Sequence, residues 1–78
     1  MTVCKLGEMK KGQAGRIIIV RDDADGFSRR LMEIGLLEGS EVEVVHEAPF
    51  GGDPMAVRVR GALIALRRLE ANQIEVEV

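Results

Sequence analysis

Residues 41–60, "EVEVVHEAPFGGDPMAVRVR", decide the fold, because two alternating segments flank a stretch rich in turn-forming residues. Before that stretch valine alternates with glutamate, and after it apolar residues alternate with arginine. A period of two predicts strands that each bury one face. Residues 48–54 predict the turn between them, since proline fixes φ and glycine takes conformations that other residues resist. The Asp53 side chain can tie such a loop to nearby backbone.

The segments around this hairpin continue the β pattern. Three further strands are predicted, at residues 16–21 ("RIIIVR"), 62–66 ("ALIAL") and 74–78 ("IEVEV"). For residues 2–6 ("TVCKL") the pattern does not decide whether a short edge strand forms. We therefore predict a mainly β fold: a small five-stranded SH3-like barrel, with residues 1–78 as one domain.

One segment has the period of a helix. Phe27, Leu31 and Ile34 recur at i, i+4 and i+7, which predicts a short helix inserted between strands. Gly35 is placed to end it in a left-handed conformation. Residues 67–72 predict a helical turn before the last strand.

Composition narrows the function classes. The chain of 78 residues has a net charge of −2, no Trp or Tyr, and no apolar run long enough to cross a membrane. Low charge and an aromatic content of only two phenylalanines argue against nucleic-acid binding. A single cysteine, Cys4, and no apolar leader at the N-terminus lead us to expect a cytoplasmic protein that does not insert into a membrane.

The loop itself carries few signs of chemistry. Its glycines lead into a strand rather than a helix, which argues against a phosphate site. His46, Asp53, Asp22 and Asp23 are weak candidates for metal ligands, because they follow no zinc spacing. No nucleophile–base set or cofactor fingerprint is present, so we expect no enzyme and assign no catalytic residue.

The stretch "RRLMEIGLLEGSEVEVVHEAPFGGDPMAVRVRG", residues 29–61, resembles the signature of the FeoA family, ferrous iron transport protein A. The resemblance implies a cytoplasmic SH3-like protein that assists the membrane ferrous iron permease FeoB, through the GTP-binding region of that permease. It implies a binding role rather than catalysis. It assigns no certain cofactor and leaves open a transition metal, iron or zinc.

We expect the helix and the loop to form one partner-binding surface. Met32 stands about 100° from Leu31 around the helix, off the apolar stripe, where a flexible apolar side chain suits a contact. The candidate partner-binding residues are Arg29, Arg30, Met32, Pro49, Phe50, Gly52 and Asp53.

Two other functions stay open at this point. One is a stand-alone metal-sensing or regulatory SH3-like module that binds a transition metal, although the chain has no helix-turn-helix to read DNA. The other is a small RNA-binding barrel, which the low net charge disfavours. The sequence leaves the oligomeric state open, and also whether the protein activates or restrains a permease.

Overall fold

The computed structural model describes residues 2–21, 31–33, 35–49 and 51–78. These residues contain a six-stranded antiparallel sheet with the order β1-β6-β2-β3-β4-β5. The strands are β1 (Val3–Lys5), β2 (Ala14–Val20), β3 (Glu41–Glu47), β4 (Met55–Val59), β5 (Ala62–Leu66) and β6 (Ile74–Glu77). A 3-10 turn (Leu6–Glu8) follows β1, and a short helix, α1 (Arg68–Ala71), precedes β6. The mainly β prediction is confirmed, and β1 adds the strand that the sequence left open.

The hydrophobic core lies on one face of the strands and is closed by the 3-10 turn. Alternation places Val42 and Val44 of β3 in the core, as predicted from the hairpin. Leu6 and Met9, from the turn after β1, are also fully buried. The remaining buried apolar residues are Ile17, Leu31, Leu36, Met55, Val57, Val59, Leu66, Ala71, Ile74 and Val76.

Two register shifts interrupt the sheet. The alternation of β3 fails at Val45 because its pairing with β4 shifts between Val44 and His46. A second shift lies between Ile17 and Ile19 in the pairing of β2 with β6. It explains why Ile17 is fully buried whereas Ile19 is 36% exposed, although the two residues are separated by one strand period.

The inserted helix ends where the sequence predicts. Residues 31–33 are helical, and Gly35 has a φ of +102°. The Leu36 N–H donates to the Leu31 carbonyl at 2.9 Å, and the Gly35 N–H donates to the Met32 carbonyl at 3.2 Å. These two bonds form a Schellman motif, the expected ending for a helix followed by glycine. Phe27 and Ile34 lie outside the described residues.

Strands β4 and β5 form a tight hairpin. Its two loop residues, Arg60 and Gly61, have φ values of 51° and 82°. Two successive positive values are typical of the type I′ turn, whose twist matches that of the flanking strands. Within the described part of the chain, no ladder joins β5 to β1, so these two strands are the edges of the sheet.

Candidate partner-binding site

One arginine fastens the loop between β3 and β4. The Arg68 guanidinium donates from Nε to the Gly52 carbonyl at 3.0 Å and from Nη2 to Glu47 Oε1 at 3.0 Å. Its Nη1 donates to the carbonyls of Gly7 and Met9 at 2.9 and 2.8 Å. Arg68 therefore joins α1 to two parts of the chain that are distant in sequence: the turn after β1, and the end of β3 with the loop that follows it. A planar fork of five N–H donors is suited to such a junction.

Asp53 attaches the same loop to the start of α1. Its Oδ1 accepts a hydrogen bond of 3.0 Å from the backbone N–H of Arg68. This N–H is one of those that a helix leaves without an internal partner at its first turn. The predicted Asp53 bond to its own loop is replaced here by a bond across 15 residues. The loop is thus hydrogen-bonded to both the backbone N–H and the guanidinium of Arg68.

The two glycines of the loop have distinct roles. Gly51 and Gly52 have φ values of +100° and +72°, a region in which side chains are strained. A Cβ on Gly51 would meet nothing within 4 Å, whereas one on Gly52 would lie 3.1 Å from Arg68 Nη2. Gly52 therefore also makes room for the arginine.

Further bonds close the loop. The Ala48 N–H donates to the Pro54 carbonyl at 3.1 Å, and the Lys11 N–H donates to Glu47 Oε1 at 3.1 Å. Glu47 thus receives bonds from two different segments. The interpretation of residues 48–54 as a rigid turn agrees with this bonding, in which each polar group named above has a structural partner.

The helical segment presents Met32 to solvent. Met32 is 48% exposed, whereas Leu31 beside it is 1% exposed. This segment meets the sheet near the end of β4, where a Cβ on Gly35 would lie 3.6 Å from Arg60 Cδ. The loop lies at the other end of β4, because it leads into Met55, about 13 Å along the strand from Val59.

The two parts of the expected surface lie at the two ends of β4, and we name them separately. We call residues 48–54 the loop patch and the surface around Met32 the helix patch. In the loop patch, Pro49 and Asp53 are exposed and Gly52 is half-buried. Arg29, Arg30 and Phe50 lie outside the described residues.

The candidate metal ligands do not assemble in the described part of the chain. Those residues contain no group of three or more His, Cys, Asp or Glu side chains that could hold a metal ion. His46 is exposed on β3 opposite Ala56, and Asp53 is bonded to the backbone of Arg68. Asp22 and Asp23 lie outside the described residues.

Cys4 has the character of a structural thiol. It is half-buried and packs against the core. Burial raises its pKa, and the negative charge of Glu8 raises it further. A thiol activated as a nucleophile or metal ligand has the opposite shift. As for the membrane, none of the helices in the described ranges combines the length and apolar character that a span requires.

Comparison with known proteins identifies the family of this chain. The model of the FeoA domain matches residues 4–78. This chain belongs to the FeoA family. The chain is 36% identical over 75 residues to a fusion protein from Porphyromonas gingivalis. That protein is named Fe(2+) transport protein A/Fe(2+) transporter FeoB fusion protein. That match covers 95% of this chain but 8% of the fusion protein.

Solved FeoA structures confirm the SH3-like fold. FeoA of Stenotrophomonas maltophilia, described as an SH3 domain protein complexed with zinc, is 34% identical with a TM-score of 0.84. The match covers 95% of this chain and 89% of that one. A FeoA-like protein of Clostridium acetobutylicum is 36% identical, also with a TM-score of 0.84, over 100% of this chain and 90% of that one.

Sequence reasoning missed Arg68, Glu47 and Gly7 as parts of the site. Residues 67–72 indicated a helical turn, but no local pattern connects an arginine there with a glycine 61 residues earlier. The loop itself gave no signal of this contact, because its glycines, prolines and aspartate are all accounted for by a turn.

Proposed function

We propose that this protein is a cytoplasmic accessory protein of bacterial ferrous iron uptake that binds the GTP-binding region of the membrane permease FeoB. The fusion protein of Porphyromonas gingivalis carries this proposal, because its name joins the two components in one polypeptide. A tether holds linked modules at a high effective concentration, which benefits two domains that contact each other. We expect this chain to contact the same partner.

The two patches supply suitable contact chemistry. Met32 offers an exposed apolar side chain that adapts to a partner surface. The loop patch is held by Arg68 and Asp53, so little conformational entropy is lost when a partner contacts it. Together they support a role in binding rather than in catalysis.

A second candidate function is metal sensing, because the FeoA structure of Stenotrophomonas maltophilia is described as complexed with zinc. The described residues of this chain do not fit a resident zinc ion, since they contain no group of three ligands. His46 and Asp53 would require further ligands from a second molecule or from residues outside the described ranges. We therefore rank metal sensing second.

An NMR titration tests the proposal. ¹⁵N-labelled protein is titrated with the soluble GTP-binding region of the cognate permease, with and without ferrous iron under anaerobic conditions. We expect amide shifts at the helix patch, the loop patch or both, with iron not required. If the permease region causes no shifts but iron alone shifts His46 and Asp53, metal sensing replaces the proposal. If neither causes shifts, both functions are wrong.

A further inference from the structure

Among the described residues, strand β5 is an edge of the sheet. It pairs with β4 through the register Val59↔Ala62 to Met55↔Leu66, and no other described strand lies beside it. Edge strands carry a row of backbone donors and acceptors that can pair with another chain. Which of these groups are available follows from the hairpin geometry.

The free groups belong to Leu63 and Ala65. In a hairpin with a two-residue loop, the residues that flank the loop, here Val59 and Ala62, exchange hydrogen bonds. Bonded and non-bonded pairs then alternate along an antiparallel ladder, so Leu63 and Ala65 fall in non-bonded pairs. Their N–H and C=O groups point away from β4, and they take part in none of the described turn, loop or cap bonds.

Nothing in the sequence of β5 protects this edge. Leu63 is 67% exposed, and the strand "ALIAL" contains no proline, lysine or other charge. The opposite edge differs, because β1 is three residues long and ends in Lys5. Short strands and edge lysines are the usual means of preventing unwanted pairing. Of the two edges, β5 therefore hinders pairing with another chain the least.

Positive charge surrounds the open edge. Exposed Arg60 precedes β5 and exposed Arg67 follows it, whereas Arg58, opposite Leu63, is paired with Glu43 on the other side of β4. If β5 paired antiparallel with β5 of a second copy, Arg60 of each chain would approach Arg67 of the other. Such like-charge contacts are unfavourable. Acidic residues at both ends of an incoming strand would instead be attracted to these arginines.

We propose that β5 takes up an extended apolar segment of a partner protein, flanked by acidic residues, as an added strand. Backbone bonds to Leu63 and Ala65 provide the pairing, and Arg60 and Arg67 select the flanking charges. This surface is distinct from the loop patch and does not depend on which protein carries the segment.

Hydrogen exchange and peptide binding test the proposal on the full chain. The probe is a ten-residue peptide with an alternating Thr-Val core and two glutamates at each end; its counterpart has lysines in place of the glutamates. In the free protein we expect fast exchange of the Leu63 and Ala65 amides. At saturation the acidic peptide should slow hydrogen exchange of both amides by about tenfold or more, since each amide gains a backbone hydrogen bond. The lysine peptide should bind about tenfold or more weakly.

Two variants at one position separate strand pairing from general adhesion. Ala65→Pro removes an N–H donor at the free edge without removing a hydrogen bond to β4. It should weaken binding of the acidic peptide by about tenfold. Ala65→Ser keeps the N–H and should bind like the wild type. The ¹H–¹⁵N spectrum of each variant checks that it is folded.

Several outcomes would overturn the proposal: amides already protected in the free protein, no peptide binding, or equal binding by both variants. Pairing of β5 with itself would be revealed by protection that increases with protein concentration, and it too would overturn the proposal. A peptide that binds at β5 while the permease region fails to bind would contradict only the proposed function.

Discussion

Nη2 of Arg68 lies 3.0 Å from Oε1 of Glu47, and this contact joins the start of α1 to the end of β3. The side chains are 22% and 30% exposed, so the pair is partly shielded from solvent. By contrast, Arg58 and Glu43 are 3.4 Å apart with exposures of 58% and 46%. Exposed pairs of that kind contribute little to stability. The Arg68 contact matters more because the same guanidinium also bonds three backbone carbonyls.

Replacing Arg68 with lysine should destabilise the protein. An ammonium group cannot reach four acceptors in the geometry of the planar fork, so partly buried carbonyls lose their donors. We expect a loss of about 2–4 kcal/mol in the free energy of unfolding, measured by urea denaturation. Arg58→Lys is the matched control and should change it by less than about 0.5 kcal/mol. Equal effects would show that Arg68 does not hold the loop.

The loop glycines provide a paired test of the Arg68 contact. Gly51→Ala and Gly52→Ala both place a side chain at positive φ, which costs about 1 kcal/mol each. Only the Cβ on Gly52 approaches Arg68 Nη2, so Gly52→Ala should be the more destabilising of the two. In the Arg68→Lys background this difference should shrink, as a double-mutant cycle would measure. An unchanged difference would locate the cost of Gly52→Ala elsewhere.

Much of the fold could be predicted because it depends on local patterns. The alternation of residues 41–47 and 55–60 predicts β3 and β4, with Arg60 belonging to the turn instead, and the glycine at 35 marks the helix end. The buried Leu6 and Met9 were not predicted, since a short 3-10 turn has no periodicity to reveal its inward side. Register shifts likewise depend on pairing between strands rather than on one strand's sequence.

The site was less predictable because it depends on long-range contacts. The turn character of the loop follows from its glycines and prolines, but its attachment to Arg68 links residues up to 61 positions apart. The distance between the helix and the loop depends on how both pack at the ends of β4, which no local pattern gives. Met32 was predictable as an outward residue because helical geometry alone places it beside a buried Leu31.

The Cys4 thiol should react slowly. Its pKa is raised by burial and by the charge of Glu8, so the folded protein keeps its proton at a pH where an unfolded thiol has ionised. The folded state therefore loses stability as pH rises from the ordinary thiol range through the raised pKa of Cys4. Alkylation by iodoacetamide, followed by mass spectrometry, should be slower in folded than in urea-unfolded protein at the same alkaline pH.

Glu8→Gln separates the two causes of the raised Cys4 pKa, which are burial and the charge of Glu8. Removing the carboxylate should speed alkylation of folded Cys4, but less than unfolding does, because burial is the larger cause. Glu38→Gln, at an exposed turn position, is the control and should leave the rate unchanged. A folded thiol that reacts faster than the unfolded one would contradict the raised pKa.

Substitutions at Met32 and Leu31 distinguish a contact residue from a core residue. Met32→Glu should leave the melting temperature within about 2 °C of the wild type, because half of that side chain is already in solvent. It should weaken binding of the permease GTP-binding region by about tenfold or more, measured by calorimetry, since a charge replaces an apolar contact. Leu31→Ala should instead lower the free energy of unfolding by about 2–4 kcal/mol.

Val3→Glu controls for the added charge. Val3 is 42% exposed, close to the 48% of Met32, but it lies on β1 at the opposite edge of the sheet from β5. Unchanged binding by Val3→Glu together with weakened binding by Met32→Glu would assign the contact to the helix patch. Equal weakening by both would indicate general charge repulsion from an acidic partner. Unfolding of Met32→Glu would show that Met32 supports the core, and the contact would then have to be sought at the loop patch.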